Sequence, residues 1–345
     1  MDEIFPIYFE TSAVNHFAKK CSIEDAKKFK ITLELSGKRA YISPVVLWEI
    51  LSTSNDIEKE YIIQFAQNFF YNKIPLSPSE FIVNYIESGC PIEEMKYDFH
   101  SKLGFAPIWE EICEDTRKTF IYDKQEIKHR IKLVQNLASL LRNFLTNESL
   151  DIKKTKELIG TQIMFESIYN SISFVKAGEH ITPEKKRRYK TSIFFILFIL
   201  CSEATFDNEP IINFWKKRGI KNIIERLQYI MKNHEVLIQR GPFIQMAFMA
   251  NNQFKTKKSR GMLMDCYHSF YLPYFKLFMT ADKHFETLIN EFDHQNHNKV
   301  LHVDKFEKII KKNDISNLFY TDKELFDIIH ILSNSSPIST IKECE

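Results

Sequence analysis

The stretch 260–285, RGMLMDCYHSFYLPYFKLFMTADKHF, constrains the fold more than any other part of the chain. It reads as a helix carrying Asp265, an apolar strand over 275–279, and a turn, Thr280-Ala281-Asp282, that opens another helix. A strand that ends at a carboxylate and feeds a helix is a building unit of parallel α/β sheets. Such sheets place their ligand sites beyond the carboxyl ends of the strands. The remaining strands must come from elsewhere in the chain.

The amino-terminal region supplies them. Pro6-Ile7-Tyr8-Phe9 is a short β-type run ending on Glu10, and Thr11-Ser12 reads as the N-cap of a helix, AVNHFAKK. A second helix over 23–35 closes on Ser36-Gly37, with glycine as its C-cap. Ala40-Tyr41-Ile42 is the second strand. Ser43-Pro44 then starts a helix, with Ser as N-cap and Pro where its missing N–H costs nothing. That helix, VVLWEILS, carries Glu49 among Val46, Leu47, Ile50 and Leu51. A helix over 56–72 and a third short strand over 73–76 follow, the strand ended by Ser77-Pro78-Ser79. After the opening stretch, 282–291 reads as helix and 300–303 as strand.

Between these two regions strands no longer alternate with helices. Helical periodicity governs 79–88, 121–147, 151–176, 185–204, 209–217, 220–233 and 241–250. A composition of 30 Phe against 8 Gly also favours helices. The expected organisation is an α/β core over 1–78 and 258–304, a helical insertion over 79–257 and a polar helical tail over 305–345. Insertions of this kind are tolerated at loop tips whose ends lie close together. The longest apolar run, 193–201 (IFFILFILC), falls well short of the roughly 20 residues that cross a membrane, and reads as a buried helix.

Composition limits the function classes. Hydrophobic residues at 44% and charged residues at 27% describe a globular chain. A formal net charge of +2 gives no global field for polyanions, so nucleic-acid affinity must come from local patches. The six cysteines are scattered without a CxxC pair, which argues against a zinc ribbon or a disulfide framework. MDEIFPIYFE is acidic and lacks the apolar length of a signal peptide. The expectation is a soluble, cytoplasmic protein without membrane attachment.

The order of these motifs resembles the PIN-domain nuclease family. That family has a first strand ending in Asp before small polar residues, a Glu early in the helix after strand two, and an Asp in a later helix. A strand then ends in Thr-x-Asp, with an aromatic a few residues on. The matching positions are Ile7-Tyr8-Phe9-Glu10-Thr11-Ser12, Ile42-Ser43-Pro44 leading to Glu49, Asp265, and Thr280-Ala281-Asp282 with Phe285. The match covers roughly 5–78 and 259–303. It departs in two places, with Glu10 where the family usually has Asp, and His284 where it often has a further acid or amide.

The resemblance implies a PIN-like three-layer fold around a mostly parallel sheet. It implies that Glu10, Glu49, Asp265 and Asp282 converge at the sheet's carboxyl edge as catalytic and metal-binding acids. Four carboxylates packed together need a countercharge, which Mg²⁺ or Mn²⁺ supplies as a hard ion suited to oxygen ligands. The implied chemistry is metal-assisted hydrolysis of a phosphodiester, with RNA the first substrate to test. Asp265 and Asp282 are the leading ligands and Glu10 completes the site. Glu49 is either a ligand or the group that orients water, and Ser12 and Thr280 support the acids. Lys255, Lys257, Lys258 and Arg260, just before the Asp265 helix, are candidates for phosphate contacts. The alternative is a degenerate PIN-like module that binds RNA, a protein partner or a second copy through the insertion.

Each feature also has a plain structural reading. Asp282 suits the start of a helix without any ligand, and Glu10 suits a solvated strand end. Glu49 and Asp265 sit among apolar neighbours, where an unpaired carboxylate is costly. His268 and His284 read as packing residues. His294, His297 and His302 read as an exposed loop, with zinc as the alternative. The charged run 184–190 (EKKRRYK) reads as a solvated face, and Phe194, Phe195 and Phe198 read as helical core.

Overall fold

A computed structural model describes residues 5–35, 37–88, 100–101, 105–114, 182–201, 209–240, 243–255, 262–292 and 299–304. In chain order their elements are β1 (Phe5–Phe9), α1 (Thr11–Lys20), α2 (Ile23–Leu35), β2 (Lys38–Tyr41), α3 (Pro44–Leu51), α4 (Asp56–Phe69), α5 (Pro78–Ser88) and α6 (Phe105–Glu114). Then come α7 (Pro183–Cys201), α8 (Glu209–Lys217), α9 (Ile223–Arg240), α10 (Phe243–Lys255), α11 (Met262–Ser269), β3 (Leu277–Thr280), α12 (Lys283–Phe292) and β4 (Val300–His302). The four strands make one all-parallel sheet, so the chain is α/β in class with helix predominating. The helices expected over 121–147 and 151–176, and the tail over 305–345, lie outside the described residues.

The described residues divide into two compact units. The first draws on Met1–Ile42, Glu60–Tyr71 and Leu272–Glu345 and holds the sheet, in the order β2-β1-β3-β4. Side chains alternate across a strand, so neighbours in β1 serve opposite faces. Phe9 packs against Phe17 of α1 and against Phe69 and Phe70 at the end of α4. Tyr8 stacks on Phe278 of β3, which stacks in turn on Phe285 of α12 at 5.1 Å. Helices therefore cover both faces, which is why the strands are apolar on both sides and read as short continuous apolar runs. α2 ends at Leu35, as the sequence predicts, and Gly37 takes φ +72 to turn the chain into β2.

The second unit draws on Ser43–Lys59 and Asn72–Tyr271 and is helical throughout its described residues, apart from one isolated antiparallel bridge, Pro75 to His100. Its centre is α7, where 191–197, Ile199 and Leu200 are all buried; α9 and α10 pack along it. This is the buried helix expected from the apolar run, and Phe194 and Phe195 are core residues in edge contact. The Phe198 side chain lies outside the described residues. No described helix is long and apolar enough to cross a membrane.

Three expectations are corrected. Residues 73–76 form no strand. The bridge at Pro75 stands alone, and Ser77 and Glu80 form a capping box at the start of α5, with Ser77 N–H to Glu80 Oε2 at 2.8 Å and Glu80 N–H to Ser77 Oγ at 3.2 Å. The helix α6 was not expected, because Pro107 punctuates its sequence; proline is tolerated there because the first turn has no N–H partners to lose. Finally, α3 and α11 group with the second unit rather than with the sheet. Seven of the eight residues of α3 are buried, and a helix apolar on all sides needs helical neighbours on all sides. It finds them in α6 and α11.

Candidate functional site

In the order β2-β1-β3-β4, the chain leaves β1 toward one edge of the sheet and returns to build β3 and β4 on the other side. The topological switch point therefore lies between β1 and β3, beyond their carboxyl ends. Glu10 follows β1 directly and Asp282 follows β3 by one residue, so both acids sit at that point. The strand pairing continues past the last ladder residues, with the Glu10 N–H donating to the Met279 carbonyl at 3.2 Å.

Glu10 is buried, with 7% of its surface exposed. It also corrects one expectation, because Glu10, not Thr11 or Ser12, is the N-cap of α1. Its backbone is extended and its carboxylate accepts the Ser12 N–H at 3.0 Å. Ser12 is thereby freed for another task. Its hydroxyl donates to Glu10 Oε1 and accepts the N–H of Ala281 at 2.8 Å. The Thr280 hydroxyl donates to the same Glu10 oxygen at 2.7 Å and accepts the Asp282 N–H at 2.9 Å. Two hydroxyls, Ser12 just past β1 and Thr280 at the end of β3, thus join the two acid-bearing turns.

Asp282 is the N-cap of α12. Its Oδ1 accepts the N–H of His284 at 2.7 Å and of Phe285 at 3.3 Å. Both acids therefore stand at helix amino termini, whose partial positive charge favours an anion by roughly 0.3–1 kcal/mol each. His302 adds a feature hidden in the sequence. It is not part of an exposed loop but the buried last residue of β4, opposite Thr280 in register. Its Nε2 donates to the Ala281 carbonyl at 3.0 Å. Its Nδ1 accepts the Asp304 N–H at 3.1 Å, closer than the Asp304 carboxylate at 3.5 Å. Since a carbonyl oxygen only accepts, Nε2 carries the proton of that bond. His294 and His297 lie outside the described residues.

Glu49 and Asp265 belong to the second unit, on α3 and α11. Glu49 is met by His268, one turn beyond Asp265 on the same helix, with Nε2 to Oε2 at 2.8 Å. His268 is buried, and Glu49 keeps 23% of its side chain exposed. A half-buried carboxylate in an apolar helix thus finds a donor, which offsets part of its lost hydration. Partners 219 residues apart left no local signal for this pairing in the sequence. Burial pushes the neighbouring Cys266 thiol well above its usual range, and the Asp265 charge adds to the effect. Such burial is the setting of a packing cysteine. Burial raises the Tyr267 hydroxyl in the same way.

The candidate phosphate contacts are not described. Lys257, Lys258 and Arg260 lie outside the described residues, and Lys255 ends α10 with its side chain outside them. Among the described residues, no group of three or more His, Cys, Asp and Glu side chains is arranged to hold a metal ion. The switch point itself offers two carboxylates and two hydroxyls, all hard oxygen donors. Mg²⁺ commonly takes one or two carboxylates and fills its remaining positions with water and substrate phosphate, so this donor set fits Mg²⁺ or Mn²⁺. No family model, curated protein or solved structure matches the chain.

Proposed function

We propose that the chain is a divalent-metal-dependent nuclease with a PIN-like core, acting first on RNA as an endoribonuclease. The observation that carries this reading is the pair Glu10 and Asp282 at the switch point of an all-parallel sheet, tied together by the Thr280 hydroxyl. Glu49 and Asp265 are assigned to the same reaction by the order of the sequence motifs alone.

Glu10 and Asp282 would hold Mg²⁺ or Mn²⁺. A bound ion supplies charge neutralisation and acidifies water for attack on a phosphodiester. Thr280 and Ser12 hold the Glu10 carboxylate and tie it to the backbone of the Asp282 turn, since each hydroxyl is bonded on both sides. The hydrogen bond from His268 fixes the Glu49 carboxylate, which suits Glu49 to orienting a water. Asp265 serves as the remaining acid.

The test is cleavage of single-stranded RNA by the full chain with Mn²⁺ or Mg²⁺. Asp282→Asn and Asp265→Asn should each lower the rate on the order of a hundredfold, the scale seen when groups around a metal are removed. Unchanged activity in Asp265→Asn takes Asp265 out of the mechanism, and unchanged activity in both variants removes the proposal.

A second reading has its own observation. Both acids of the first unit already work as helix caps, with Glu10 receiving three donors and Asp282 two. A degenerate PIN-like module that binds RNA, a protein or a second copy through its helical part needs no more than that.

A further inference from the structure

The Ala281 backbone is gripped from two sides. Its N–H is held by Ser12 Oγ at 2.8 Å and its carbonyl by His302 Nε2 at 3.0 Å. The first grip comes from α1 and the second from β4, so elements on either side of β3 fix one residue of the turn. That residue is Ala281, between Thr280, which bonds Glu10, and Asp282, which caps α12. The orientation of His302 is itself fixed. Asp304 meets Nδ1 through its N–H, Nε2 faces the Ala281 carbonyl, and just 4% of the residue is exposed.

We propose that His302 is a positioning residue for the acids at the switch point. It acts through the Ala281 carbonyl, setting the path of the Thr280-Ala281-Asp282 turn and so the direction in which Asp282 presents its carboxylate. The inference rests on the nuclease reading given above. Removing the imidazole would leave a part-buried carbonyl without its donor, and Ala281 would be held from the Ser12 side alone. Glutamine keeps a terminal N–H₂ near the position of Nε2 and can restore the bond.

The experiment compares the full chain with His302→Ala and His302→Gln by two readouts. The first is amide hydrogen exchange at Asp282, His284 and Phe285, with Tyr8 and Phe9 of β1 as the control for overall folding. The second is Mn²⁺-dependent cleavage of single-stranded RNA, with kcat and KM measured separately. His302→Ala should speed exchange at the three turn amides about tenfold, leave the β1 amides unchanged, and lower kcat about tenfold to a hundredfold with KM within about twofold. His302→Gln should recover most of both effects. Unchanged exchange at the turn overturns the inference, and so does faster exchange with unchanged kcat. Loss of protection in β1 as well shows a general folding role and also overturns it. An inactive wild type overturns the nuclease reading and takes this inference with it. An active wild type matched by His302→Ala overturns the inference alone.

Discussion

Thr280 is the residue on which the two acid-bearing turns depend. Its hydroxyl donates to Glu10 and accepts from Asp282, so a single oxygen satisfies a buried carboxylate and a backbone N–H. Thr280→Val keeps the shape and removes both bonds. Leaving a charged acceptor and an amide short of partners should cost about 2–4 kcal/mol, read as a fall in the denaturant midpoint without a change in slope. Thr280→Ser should cost less than about 1 kcal/mol, because the hydroxyl stays. Equal losses in the two variants would show that the methyl packing, not the bridge, is what matters. At this scale the sequence showed where Glu10 and Asp282 would stand but not what holds them. Partners 270 residues apart leave no mark on local periodicity. His302 was misjudged for the same reason, and His268, buried as expected, gave no sign of the Glu49 carboxylate it meets, since an isolated histidine does not announce its partner.

At the scale of elements, legibility followed local chemistry. α2 begins and ends where its periodicity and its glycine say it should, because the stop is made by one residue's backbone. Gly37 sits at φ +72 and a Cβ there would meet nothing within 4 Å. Gly37→Ala should therefore cost only the left-handed backbone strain, roughly 1–2 kcal/mol, with no steric addition. Chemical denaturation can check this against Gly219→Ala in the second unit, where φ is +67 and the space is equally open. A much larger loss at Gly37 would mean that the turn between α2 and β2 carries more than its own conformation. The misread elements failed through competing local signals. Residues 73–76 look apolar enough for a strand, but Pro75 can donate nothing to a ladder, and the Ser77–Glu80 box claims the following residues for α5. In α1, a glutamate took the capping place that Thr11 and Ser12 compete for by propensity, and its carboxylate also accepts the hydroxyl that ends β3. Tertiary demand overrode the local preference.

For the whole molecule, the two proposed functions differ in one linkage. A cation that binds the native state alone stabilises it by RT ln(1 + [L]/Kd), about 2.7 kcal/mol at a hundredfold excess over Kd. The nuclease reading predicts that Mn²⁺ raises the melting temperature of the full chain, and that Asp265→Asn/Asp282→Asn abolishes the shift. The binding-module reading predicts no shift in either protein. Scanning fluorimetry at fixed ionic strength separates the two, because a general salt effect would survive the double substitution. With a formal net charge of only +2, such a salt effect should be small.

The sheet order has a temporal side as well. β1 pairs with β2 through residues such as Ile7 and Ala40, which are near in sequence, but its other neighbour is β3, where Ile7 meets Leu277. During synthesis at ~5–20 residues per second, β1 waits roughly 15–55 s for that partner. Throughout the wait, one edge of β1 and the faces built from Tyr8 and Phe9 lack the strand that completes them. The pairing is also among the most non-local the chain can make, which slows its search after release. The residues between Asn72 and Tyr271 emerge first and can begin packing α7 while the sheet is unfinished. Ordering of the acid pair therefore comes late, because Glu10 waits for Thr280 and Asp282. Any catalytic chemistry at the switch point is thus withheld until β3 and the turn after it have been made.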